Sequence, residues 1–180
     1  MNRKVANPII KDEVTFLQTA SESGGSITKL EILLMPGGKN PMHYHRSYSE
    51  KFTAITGELG LRIGRNKRKI LQPGESLTVQ PGQVHCFYNP GSTAINFLVE
   101  LTPGHEGFEN SVRIAYGLSS DAFANKKTNP INLTQMGILL VMGDMGIPGI
   151  AGVMTPFFKL LAKIAKANGD EKRLIEKYCR

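Results

Sequence analysis

Residues 37–57 read GGKNPMHYHRSYSEKFTAITG, and residues 74–89 read GESLTVQPGQVHCFYN. Three of the four histidines in the chain fall in these two stretches. His43 and His45 flank a single residue, so on an extended strand both side chains leave the same face. Glu50 follows near the start of an alternating run that ends at Thr56. His85 lies in a second strand-like run, just after a Pro81-Gly82 turn. Neutral imidazole and carboxylate are both good ligands for first-row divalent metals. Three imidazoles and one carboxylate leave room on a five- or six-coordinate ion for water or substrate, as a catalytic site requires. His43-X-His45 alone carries little weight, because isolated histidines are usually ordinary surface or core residues. The ordered spacing around it is what makes His43, His45, Glu50 and His85 the candidate metal-ligating set.

Outward from these stretches, residues 13–101 read as short strands with turn punctuation. Val14–Thr19, Ile27–Met35, Glu50–Thr56, Leu61–Gly64, Lys69–Gln72, Ser76–Val79, Val84–Tyr88 and Ala94–Leu101 are strand-like. The pairs Pro73-Gly74, Pro81-Gly82 and Pro90-Gly91 are type II turn signals, since glycine tolerates the positive φ that follows proline there. Regularly spaced short strands with such turns argue an all-β sandwich or barrel. Period two places Ile95, Phe97, Val99 and Leu101 on an interior face, with Asn96 and Glu100 opposite. It also turns Glu50, Phe52 and Ala54 inward, together with His85, Phe87 and Asn89.

The two stretches resemble the paired motifs of the cupin superfamily. The first motif is met by Gly37, His43, His45, Glu50 and Gly57 at every interval. The second is met by Gly74, Gly82, His85 and Asn89. Gln80 stands where the family usually has proline, and Pro81 stiffens the same turn. The resemblance covers residues 27–101. It implies a mainly β fold, the double-stranded β-helix or jelly roll, with a metal near one mouth. It implies that His43, His45, Glu50 and His85 are the ligands of one divalent transition metal ion: iron, manganese, nickel, copper, cobalt or zinc. Similarity to flavonol-dioxygenase-like cupins further implies that Glu50 serves as catalytic base as well as ligand. The plainer reading is a ligand only.

Other residues near the motifs have two readings each. Phe52, Phe87 and Phe97 either line an apolar substrate pocket or are simply core. Tyr48, between His45 and Glu50, is a candidate substrate contact. Cys86 should point away from His85 and is not counted as a ligand. Asn89 is expected to fix a turn. The basic run Arg62, Arg65, Lys67, Arg68 and Lys69 has no aromatic interleaving and no nucleic-acid motif, so it reads as a solvated hairpin.

After Pro103-Gly104 the pattern becomes helical, which divides the chain into a β-barrel over 1–103 and a C-terminal helical extension over 104–180. Glu106–Leu118 and Asn132–Met142 read as helices. In Phe157–Ala167, Phe157, Leu160, Leu161 and Ile164 share one side, and Lys159, Lys163 and Lys166 another. This face is expected to pack on the barrel or on a second copy of the chain. Asp170 is expected to cap a last helix through Lys177. His105 is expected to be exposed and idle. The apolar segment 136–158 is interrupted by Asp144, Pro148 and Pro156 and by glycines at 143, 146, 149 and 152, which argues against a membrane span.

Composition adds bounds. An apolar fraction of 41% and a charged fraction of 21% are those of an ordinary globular protein. The net charge of +7 does not by itself designate a partner. Two distant cysteines and no apolar leader favour a reducing cytoplasm. The expected protein is a homodimeric metal cupin that meets a small organic molecule. It is a dioxygenase-like oxidoreductase first, with a non-catalytic binding module or sensor, and an isomerase or decarboxylase, as alternatives.

Overall fold

The computed structural model describes residues 3–126, 129–149 and 153–180. Ten strands precede the helices: β1 Lys4–Asn7, β2 Asp12–Gln18, β3 Thr28–Leu34, β4 Tyr44–His45, β5 Ser49–Thr56, β6 Leu59–Ile63, β7 Lys67–Leu71, β8 Ser76–Val79, β9 His85–Tyr88 and β10 Ile95–Thr102. Then come α1 Glu106–Ala124, α2 Leu133–Met142, a two-residue strand β11 Met145–Gly146, α3 Thr155–Ala167 and α4 Asp170–Tyr178. One sheet has the order β1-β2-β3-β10-β5-β8, and the facing sheet β7-β6-β9. β4 pairs with β11, and His43 bridges to His85.

Alternation decides which side chains meet between the sheets. β10 buries Ile95, Phe97, Val99 and Leu101, as its period predicts. β5 buries Glu50, Phe52 and Ala54 on the same inner face. Leu59, Leu61 and Phe87 close the core from the smaller sheet. Burial of each such side chain contributes about 1.5–3 kcal/mol, so the core dominates the stability of this half. On the outer face Glu100 sits opposite Lys29 and Lys51 and forms ion pairs of 3.3 and 3.5 Å with them. The like-charged lysines are thereby kept in register around one carboxylate.

The turn chemistry departs from expectation once. Gly74 and Gly82 have φ of +89° and +80°, as type II turns need. Gly91 has no positive φ. Its turn is held instead by its N–H, which donates to Asn89 Oδ1 at 2.9 Å. Asn89 also donates to Leu34 O and Thr93 O, so it fixes the turn as expected.

The helical extension differs more. α1 presents Phe108 and Tyr116 to the barrel core. Its N-cap is His105, whose Nδ1 accepts from the Phe108 N–H at 2.8 Å, so His105 is not idle. Gly169, not Asp170, is the N-cap of α4. On α3 the buried residues are Phe158, Ala162 and Ala165, and Phe157, Leu160 and Ile164 face solvent. The reason is close helix approach: a Cβ on Gly137 of α2 would lie 2.8 Å from Phe158 O, so small residues set this contact and turn the large apolar stripe outward. Of the apolar segment 136–158, residues 150–152 lie outside the described residues. No described helix is long and apolar enough to cross a membrane.

α1 is tied to the barrel by a buried polar pair. Tyr116 donates to Asp12 Oδ2 at 2.6 Å, while Asp12 Oδ1 has no hydrogen-bond partner. Burial raises the Asp12 carboxyl to about 7, against the lowering effect of the Tyr116 bond. The folded state therefore holds a proton that the unfolded chain releases near pH 4, and this group's contribution weakens stability as pH rises from about 4 to 7. Asp12→Asn removes that dependence. The stability difference between Asp12→Asn and wild type, measured by urea unfolding, should shift in the variant's favour from pH 5 to pH 8. A difference that stays constant with pH contradicts the assignment.

Candidate metal centre

The inner faces of β4, β5 and β9 bring His45, Glu50 and His85 together, and the His43–His85 bridge adds the fourth side chain. One donor atom from each of His43, His45, Glu50 and His85 lies within 4.8 Å of every other. His45, Glu50 and His85 are buried and His43 is half-buried, so the cluster meets solvent on the His43 side. Ring centroids of His43 lie 4.8 Å from His45 and 4.5 Å from His85.

Each imidazole is held by its Nδ1. His43 Nδ1 donates to Pro41 O and His85 Nδ1 to Gln83 O, both at 2.9 Å. A carbonyl can only accept, so Nδ1 carries the hydrogen in both rings and Nε2 is the atom left for another partner. His45 Nδ1 lies 2.5 Å from Tyr48 Oη. Gly82 N–H donates to His45 O at 2.6 Å, so the Pro81-Gly82 turn clamps the strand that carries this ring. Ligating histidines are typically oriented in this way, by a hydrogen bond from the nitrogen that does not bind the metal.

The electrostatics are those of a loaded trap. Burial alone would raise the Glu50 carboxyl, but the neighbouring His45 and the hydrogen bond from His85 outweigh it and hold the group well below the usual range. His85 Nε2 lies 2.7 Å from Glu50 Oε2. Burial lowers the His85 imidazole, but its bond to Glu50 reverses this and raises it overall. Burial, then the charges of His85 and His45, push His43 down to about 3. His45 Nε2 lies 3.2 Å from Glu50 Oε2, yet it has no hydrogen-bond partner. An orphaned, buried ring nitrogen aimed at a carboxylate and two further imidazoles fits a metal ligand, and the donor set suits a first-row divalent ion.

The other predicted residues fall around this cluster. Phe52, Phe87 and Phe97 are packed on one another, with Phe87 and Phe97 centroids 5.1 Å apart. The Phe52 ring stands 5.8 Å from that of His85, an apolar wall behind the donors. Tyr48 is buried and bonds to His45 and to Gly143 O, so it contacts the site from behind. Sequence reasoning missed Gly143, Arg46 and Phe108 around His45. Their partners lie far away in the chain, and no spacing signal marks them.

Two facing antiparallel sheets around an inward His/Glu cluster define a β-sandwich with a donor group that could hold a metal ion. Residues 30–101 match the family described as the cupin domain. The match covers the strands that carry the candidate centre and stops before the helices, so this likeness belongs to residues 30–101. Germin-like protein 3-7 of Oryza sativa subsp. japonica is 34% identical over 65 residues, which are 34% of this chain and 28% of that protein. Germin-like protein subfamily 3 member 2 of Arabidopsis thaliana is 26% identical over 110 residues, 59% of this chain and 48% of that protein. The chain thus spans less than half the length of these curated relatives. An RmlC-like cupin from Shewanella frigidimarina superposes with a TM-score of 0.50 at 19% identity, covering 59% of this chain and 89% of that one. That likeness is one of fold: the double-stranded β-helix, to which this chain adds C-terminal helices.

The proton between His85 Nε2 and Glu50 Oε2 must leave before a metal can take both donors. Against burial, the bond to Glu50 raises the His85 imidazole, so the proton competes with a metal for these donors. Metal uptake should therefore release protons, and more of them as the pH is lowered. Calorimetric titration in buffers of different ionisation enthalpy measures this. Affinity should fall as the solution is acidified.

Proposed function

We propose that this protein holds one divalent transition metal ion through His43, His45, His85 and Glu50, and uses it to bind and transform a small organic molecule. The observation that carries this reading is the convergence of four donors in which His45 Nε2 is buried without a hydrogen-bond partner. When bound, the metal supplies Lewis-acid polarisation of a substrate oxygen and a centre for oxygen chemistry. The chain's own residues do the rest. Phe52 and its neighbours keep water from the rear of the cluster. Glu50, ionised, is the group placed to accept a substrate proton as catalytic base. The half-buried His43 marks the side from which a ligand enters.

Among reaction classes, we place a dioxygenase-like oxidoreductase first, because the apolar wall beside an ionised carboxylate suits an aromatic or enolic substrate. The proposal includes a reducing, cytoplasmic setting, in keeping with the free thiols of Cys86 and Cys179. It also includes a homodimer, for which the exposed Phe157, Leu160 and Ile164 stripe is the surface offered by the extension.

Metal analysis of protein from metal-replete growth should find one ion per chain, and its absence overturns the metal reading. His45→Ala and Glu50→Ala should each abolish loading. Saturating metal, at about 100 times Kd, should add about 2.7 kcal/mol to the wild type's stability and nothing to either variant. Oxygen uptake over a panel of phenols, enols and flavonols tests the reaction class. Ligands that raise the melting temperature without being consumed would favour a binding module.

A further inference from the structure

The helical extension reaches the candidate metal centre beside His45. β11 pairs with β4, Met145 opposite His45 and Gly146 opposite Tyr44. The pairing is tight, since a Cβ on Gly146 would lie 2.1 Å from Tyr44 Cζ. Arg46 donates to Met145 O at 2.9 Å and lies 3.4 Å from Asp144 Oδ1. Beneath this clamp, Tyr48 Oη lies 2.8 Å from Gly143 O and 2.5 Å from His45 Nδ1.

A phenol has one hydrogen and a carbonyl has none, so only one arrangement satisfies all three groups. Tyr48 donates to Gly143 O, and its oxygen accepts the hydrogen of His45 Nδ1. The reverse would point the Gly143 carbonyl at a phenol oxygen with no hydrogen between them, buried and unpaired. With the Nδ1 hydrogen directed to Tyr48, Nε2, which lies 3.2 Å from Glu50 Oε2, is the His45 nitrogen left to face a metal. The Tyr48 ring also stacks on the His45 ring at 4.5 Å with 28° between planes, which fixes its orientation.

We propose that Tyr48 is a positioning residue through which the 143–146 segment of the extension sets the tautomer and aim of His45, so that docking of this segment and metal affinity are coupled. The inference rests on the metal reading given above. Coupling of this kind is reciprocal: whatever the docked segment adds to metal affinity, bound metal adds to the docking of the segment.

Tyr48→Phe keeps the stacked ring and removes only the bridging oxygen. In the metal-free wild type, nitrogen-15 NMR of the imidazoles should show His45 with its hydrogen on Nδ1. In Tyr48→Phe that signature should be lost, while His43 and His85 keep theirs. Cobalt(II) affinity by calorimetry should fall 10–100-fold, as for loss of a hydrogen-bond partner behind a ligand. Should Tyr48→Phe fail to fold, Arg46→Met loosens the same clamp from its exposed side and should weaken cobalt(II) binding in the same direction. Adding cobalt(II) to the wild type should slow amide exchange at Met145 and Gly146. An unchanged tautomer with unchanged affinity in Tyr48→Phe, or exchange rates indifferent to cobalt(II), overturns the proposal. A wild type that takes up no cobalt(II) refutes the metal reading instead, and the NMR comparison still decides whether Tyr48 links Gly143 to His45.

Discussion

An ionised carboxylate buried beside three imidazoles is the constraint to which the rest of this structure answers. Removing a charge from water costs several kcal/mol unless partners replace the lost hydration. Glu50 has two ring nitrogens within 3.2 Å for that purpose. Without a metal the cluster is only partly compensated, because one proton serves the His85–Glu50 contact and His45 Nε2 has none. A divalent cation would satisfy all four donors at once.

Such a cluster needs a scaffold that does not relax around it. The inner face of the large sheet supplies Phe52, Phe97 and Leu101, and the smaller sheet supplies Leu61 and Phe87. These close-packed side chains leave the imidazoles few rotamers to escape into. Backbone acceptors then hold the Nδ1 atoms of His43 and His85 from the outside. Position is therefore enforced from both sides: apolar packing behind the rings and fixed carbonyls beside them.

Much of this was legible in the sequence, and the boundary has physical causes. Period two on β5 and β10 gave the inner faces, because each strand is long enough to repeat the pattern and one face is buried. The turn glycines and the spacing of His43, His45, Glu50 and His85 marked the candidate site, because strand and turn geometry link those intervals to position. β4 and β11 escaped notice, since two residues cannot display a period. The role of Tyr48 escaped as well. Its partner Gly143 stands 95 residues away, and a tyrosine near a histidine pair reads equally well as a substrate contact. On α3 the apolar stripe does not face the rest of its own chain, which leaves only the second-copy half of the expectation open. Such a stripe marks the buried side only where the largest side chains do the packing, whereas Gly137, Ala162 and Ala165 let these helices approach by their smallest ones.

That last contrast bears on what the extension is for. A helical appendage that merely shielded the barrel would be expected to bury its largest apolar residues against it. Here α1 does so through Phe108 and Tyr116, but α3 leaves Phe157, Leu160 and Ile164 outside and makes its contact with α2. Between them lies the short 143–146 segment, which pairs with the His45 strand through backbone and through Arg46. The Phe108 ring stands edge-on to both His45 and Tyr48, at 5.9 and 5.8 Å, so α1 closes the same corner from the other side. Phe108 of α1 and the 143–146 segment thus meet the candidate centre at the same histidine, His45, from two directions. Of the four candidate donors, His45 is therefore the one that packs against the extension, and the half-buried His43 is the one that meets solvent.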